Sequence, residues 1–263
     1  MVFLPIANPD GAALHYRLMA EHPNWKHHAA RYNAAGKEFS LDLFDPDSPF
    51  GEARFRQVIW ERWFPDAMVD NHGVPSHEWC QPFAGYNSPP HFPVSYHVVQ
   101  AMIYGVVHYA DTPERPAHRT AAAAIRASVT AAVSGMPWLH ARNQHWLNCY
   151  DTYGHRWLPE VSPTDVHGDM LFFFHGIDPA KQTAAWRSFA LQYPTITLVD
   201  WITEVPDETA QGAYLKECAQ AHRIANLAMF HLVAASAQPM TRQITRLADG
   251  RVSVVFTRER RIG

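Results

Sequence analysis

Seventeen of the 263 residues are histidine, about one in fifteen, a density that directs attention to metal or acid–base chemistry. The sharpest candidate is His72, in Pro65-Asp66-Ala67-Met68-Val69-Asp70-Asn71-His72-Gly73. It follows a short apolar run and precedes a glycine. That places it at the carboxyl end of a strand, where α/β enzymes open a ligand crevice. A neutral imidazole there suits zinc, and Asp70 or Asn71 stands ready to hold the ring. The plainer alternative is a polar loop whose histidine is simply hydrogen-bonded. The second candidate is Glu204, leaving the very apolar run that begins at Ile196. Such an acid is desolvated, which raises its pKa and suits it to general acid or base work. Asp207 and Glu208 read instead as favouring the amino end of a following helix.

Other chemistry is excluded by pattern. Lys and Arg total 22 against 25 Asp and Glu, a net charge of −3, so the basic footprint of a nucleic-acid binder is missing. There is no Gly-x-Gly-x-x-Gly, no P-loop and no Gly-x-Ser-x-Gly elbow. No apolar stretch is long enough to span a bilayer. Cys80, Cys149 and Cys218 form no CxxC pair and read as structural thiols in a reducing, cytoplasmic setting. His27, His28, His77, His140, His145, His167 and His175 read as surface or supporting residues, because a zinc site takes only three or four ligands. The aromatic stretch from Trp138 to Trp157 reads as core or interface packing, with a pocket wall as the alternative.

The elements that must position these residues follow from apolar periodicity. Short continuous runs predict strands over Val2–Ala7, Ala67–Asn71, Met170–Phe174 and Thr195–Trp201. Ser48-Pro49 predicts a helix start, with Phe55, Val58, Ile59 and Trp63 facing inward. Val98, Val99, Met102, Ile103, Val106 and Val107 predict a core-facing helix over 95–110. Further helices are expected over Ala117–Ser134 and from Asp207 to about Ala235. Asp249-Gly250 between two strand-like runs signals a hairpin. The fold class is therefore α/β: a mixed, mostly parallel sheet between helices, an α/β/α sandwich ending in a C-terminal β-hairpin. Residues 1–238 form the domain and 239–263 the hairpin extension.

The order of several motifs resembles the M14 zinc carboxypeptidases. Asn8-Pro9-Asp10-Gly11 is similar to the family's NPDG turn. Asn33-Ala34-Ala35-Gly36-Lys37-Glu38 lies where the family has Gly-x-Asp-x-Asn-Arg. Pro65-Asp66 through Asp70-Asn71-His72 resembles its PD…D-x-H strand, and Pro82-Phe83-Ala84-Gly85-Tyr86 the Pro-Tyr-Gly-Tyr that follows. Thr203-Glu204 before a long helix is similar to its closing segment. The likeness runs from about residue 2 to 236, with 87–190 unmatched.

The resemblance implies a zinc-dependent hydrolase of a peptide or small amide. His72 would be the third zinc ligand, Asp70 and Asn71 its supports, and Glu204 the general base. Lys26 falls near the place of an arginine that polarises the scissile carbonyl; the substrate-capping tyrosine stays unplaced, with Tyr150 and Tyr153 as candidates. Ser40-Leu41 stands where the family's Asn-Arg pair grips a terminal carboxylate, so strict exopeptidase action is not implied, and the substrate-binding residues stay unassigned. No His-x-x-Glu occurs, so two zinc ligands are missing. The expectation is a C-terminal part of a catalytic domain that by itself holds one Zn²⁺ weakly or not at all, with an exposed sheet edge or a homo-oligomer interface. The rival expectation is a non-catalytic binding or structural module that has lost its metal site.

Overall fold

The computed structural model describes residues 2–23, 32–73, 101–149, 152, 164–168, 170–177, 188–207, 210–236 and 241–257. Asn8-Pro9-Asp10 opens a helix rather than closing a turn. Asn8 Oδ1 accepts the Gly11 amide at 3.0 Å, Pro9 fills the first turn, and Asp10 favours the positive end of helix α1 (Pro9–Glu21). Residues 2–7, expected as a strand, belong to no sheet, and Val2, Phe3 and Ile6 are exposed. An apolar run becomes a strand only where a neighbour supplies the ladder, and here a helix follows at once.

Five strands form the main sheet: β1 (Ala67–Gly73), β2 (Tyr104–Ala110), β3 (Thr164–His167), β4 (Met170–Ile177) and β5 (Val199–Val205). Their order is β1-β5-β2-β4-β3. The parallel ladders β1/β5 and β2/β4 join seven residue pairs each, against five and four in the antiparallel ladders β2/β5 and β3/β4. The expected mixed, mostly parallel sheet is present.

Strand β2 overturns the helix expected over 95–110, of which 95–100 lies outside the described residues. Its valines fit helical spacing, but β-branched and aromatic side chains also suit a pleated surface, and ladders on both sides decide the outcome. Gly105 shows how close that packing is. A Cβ there would stand 2.8 Å from Trp201 Nε1 and 3.0 Å from Phe172 Cδ1. The last strand also begins later than expected, at Val199, because residues 193–196 form a turn. Glu204 therefore lies inside β5, not beyond it.

One sheet face packs Val107, Phe172, Val199 and Trp201 against helices α3 (Pro116–Ser134) and α6 (Gly212–Ser236), which bring Ile125, Val129, Ala221 and Ala225. Helix α3 matches the expected span, whereas α6 starts five residues after Asp207 (212 − 207). Helix α4 (Pro137–Cys149) is anchored by buried Asn143, whose Oδ1 accepts the Ile103 amide at 3.0 Å.

The other face lies under α2 (Gly51–Trp63) and the short α5 (Phe189–Gln192). Phe55, Val58 and Trp63 are exposed, contrary to expectation, and α2 turns Ala53 and Trp60 inward. The Trp60 ring decides this rotation. It stacks on Tyr193 with centroids 4.2 Å apart, and its Nε1 donates to Thr197 Oγ1 at 2.8 Å. Ser48 is buried just before α2, where its Oγ accepts the Phe50 amide at 3.3 Å. The hairpin of β6 (Thr241–Arg246) and β7 (Val252–Thr257) forms a two-stranded sheet of its own, with Gly250 at φ +82° in the turn.

Candidate functional site

The parallel register of β1 and β5 sets His72 opposite Glu204, Asn71 opposite Thr203 and Asp70 opposite Ile202. Side chains alternate along a strand, so Asp70, His72 and Glu204 share the face under α2, while Asn71 and Thr203 share the face under α6. A polar chain runs along the first of these faces. Arg56 Nη2 donates to Asp70 Oδ2 at 2.8 Å, and the same oxygen is 3.3 Å from His72 Nε2. His72 Nδ1 lies 3.4 Å from Glu204 Oε1. The His72 side chain is 45% exposed and that of Glu204 14%, so the ring is open to a ligand while the acid is held beneath it.

Electrostatics follow from this order. Partial desolvation by its neighbours disfavours a charged His72, but the hydrogen bonds and charges of Asp70 and Glu204 outweigh it and push the ring up to about 10. Burial also disfavours ionised Asp70, yet His72 and Arg56 hold its carboxyl well below the usual range. At neutral pH His72 is an imidazolium between two carboxylates. To ligate a metal it must release a proton, which makes affinity rise with pH.

Two further half-buried groups flank the site. Asp200, on the site face, accepts from Ser188 Oγ at 2.5 Å and from the Ala190 amide at 3.2 Å. Burial nevertheless pushes it up to about 6. On the opposite face burial pushes His222 down to about 4, although its ring hydrogen-bonds the His72 backbone. His222 is thus neutral in the fold where the unfolded chain protonates below about 6.5. The unfolded state takes up the proton first, so stability falls as the pH drops from about 6.5 to 4. Asp200 acts in the opposite sense: the unfolded chain ionises from about pH 4, so stability is lost as the pH rises through about 6. His222→Gln is expected to lose less stability than the wild type between about pH 7 and 4.5, by roughly 2 kcal/mol. Urea midpoints at the two pH values measure it. An unchanged acid slope would show that neutral His222 is not what the fold requires.

Of the residues singled out from sequence, the structure brings together His72, Glu204 and Asp70. Asn71 lies beside His72 in the chain but faces away from the ring, toward α6. Lys26, His77, Tyr150, Tyr153 and the 82–86 segment lie outside the described residues. Sequence reasoning missed Arg56, Thr203, His222 and Asn226. The only available signal was adjacency, since Thr203 precedes Glu204 as Asn71 precedes His72.

The donor set fits zinc in kind. The His72 imidazole is a donor zinc takes, and the Glu204 carboxylate 3.4 Å away is close enough to reach a water on such an ion. The set falls short in number: among the described residues no three His, Cys, Asp or Glu converge on a metal position. No family model, curated protein or solved structure matches the chain. Among the described residues no helix is long and apolar enough to cross a membrane.

Proposed function

We propose that the chain carries the general-base half of a zinc-dependent hydrolase acting on peptide or small amide bonds, as its M14-like motifs imply. The observation that supports this most directly is the facing of His72 and Glu204 across two parallel strands, although 132 positions separate them (204 − 72). His72 is the residue that would hold zinc, through Nδ1, with Asp70 on Nε2 fixing the ring and Arg56 fixing Asp70. Zinc bound there supplies Lewis-acid polarisation of the carbonyl and a lowered pKa for water. Glu204 takes a proton from the attacking water as its oxygen adds to the carbonyl carbon, and returns it to the amine as the C–N bond breaks. Lys26 is proposed to steady the oxyanion. We place this activity in the cytoplasm, in keeping with the unpaired state of Cys149 and Cys218.

The rival, a module without a working metal site, draws on the shortage of ligands. One experiment separates the two. The protein is loaded with zinc and assayed on N-acylated amino acids and short peptides, before and after chelation. Chelator-sensitive release of amine is expected. Absence of hydrolysis with zinc shown to be bound would favour the binding module.

A further inference from the structure

Behind the His72–Glu204 pair, on the α6 side of the sheet, lies a second polar cluster. The Thr203 hydroxyl is buried, donates to Asn71 Oδ1 at 2.8 Å and stands 2.8 Å from His222 Nδ1. Asn226 Nδ2 donates to the same Asn71 oxygen at 2.8 Å. Through His222 at Thr203 and Asn226 at Asn71, α6 touches both strands. His222 and Asn226 are four residues apart on α6 and therefore share a face of that helix.

The placement of this cluster is selective. At the next level down on the same sheet face, Val69 stands opposite Trp201, both apolar, and at the next level up Gly73 stands opposite Val205. Of these three paired levels of β1 and β5, only that of the working pair carries polar strand side chains toward α6; one level up, the Asp207 carboxylate stands over Gly73. Thr203 is the buried member, and a buried hydroxyl is costly when its partner is lost, so stability alone does not call for one there. Among the described residues β1 stands at the edge of the sheet, with β5 as its partner there. Its stagger against β5 is therefore set by one ladder and whatever pins that ladder. Helix α6 is a firm anchor for such pins, since Ala221, Ala225 and Met229 seat it in the core.

We infer that Asn71, Thr203, His222 and Asn226 form a positioning network that fixes the approach of His72 to Glu204 from the opposite face of the sheet. The inference rests on reading those two as the working pair. The four residues touch no reacting atom; they act through the backbone of the residues that do.

The test measures the His72–Glu204 interaction itself, in the zinc-free full chain, and so is independent of hydrolysis. Denaturation of wild type, His72→Ala, Glu204→Ala and the double variant yields a coupling between the two side chains. The same cycle is run in Thr203→Val and Thr203→Ser backgrounds. Thr203→Val should reduce the coupling to about half or less, and Thr203→Ser, which keeps the hydroxyl, should restore it. A residue that merely stabilises the fold would lower all four midpoints and leave the coupling unchanged. If Thr203→Val does not fold, Asn226→Ala on the helix serves in its place with the same expectation. An unchanged coupling in the variant background, or none in the wild type, overturns the proposal. Loss of the hydrolase reading with the coupling effect intact would leave the network standing as a structural clamp.

Discussion

Glu204→Gln should lower hydrolysis by the zinc-loaded protein by about 10²–10⁴-fold, the range of general acid–base catalysis by a positioned side chain. The substitution preserves shape and can still accept a hydrogen bond from His72, but it cannot take a proton from water. The loss should appear in kcat, with KM little changed, because the carboxylate acts on the proton in flight rather than on bound substrate. His72→Ala should remove the weak zinc binding as well as turnover, which separates the holder of the metal from the base. Steady-state kinetics with metal analysis of the same samples would measure both. Full activity in Glu204→Gln would remove the acid from the mechanism.

The largest effect on stability is expected at Trp201. The side chain is fully buried at the centre of the main core, against both flanking strands and α6. Trp201→Ala should cost about 3–5 kcal/mol, since the cavity lies between rigid layers that close only in part. A domain with a net stability of about 5–15 kcal/mol retains little after such a loss. Trp201→Phe should cost far less. It leaves a smaller void and removes an indole N–H that is buried with no hydrogen-bond partner among the described residues. Urea unfolding of the two variants would check the contrast. Equal losses would mean that the indole's outer ring contributes no packing. Because Trp201 lies two residues before Thr203 in β5, the alanine variant should also loosen the site.

Where the sequence pattern misled, it did so for a common reason. The 95–110 segment has valines at helical spacing, yet residues 104–110 became a strand because two neighbours offered ladders. Helix α2 was legible as a helix, but its inward face was not. Phe55 and Val58 are more apolar in pattern than Arg56, yet the stack of Trp60 on Tyr193 rotates the helix so that Arg56 meets Asp70. That contact depends on residues 133 positions apart (193 − 60), which no local period records.

The chemistry of His72 and Glu204 was readable from residue type and place: an imidazole before a glycine, and an acid on an apolar run. So were α3, the hairpin at Asp249-Gly250 and the alternation of strand and helix. These are local matters of period, capping and turn residues, decided within a dozen positions of chain. Only the tertiary structure decided that the two residues meet, because a parallel register between distant strands is set by packing of both sheet faces and not by either strand alone. It also decided which neighbours matter. Asp70 and Asn71 are adjacent in sequence, but the pleat turns one toward His72 and the other toward Thr203 and α6. The sequence by itself determined what the side chains are able to do, and the register between β1 and β5 determined which of them do it together.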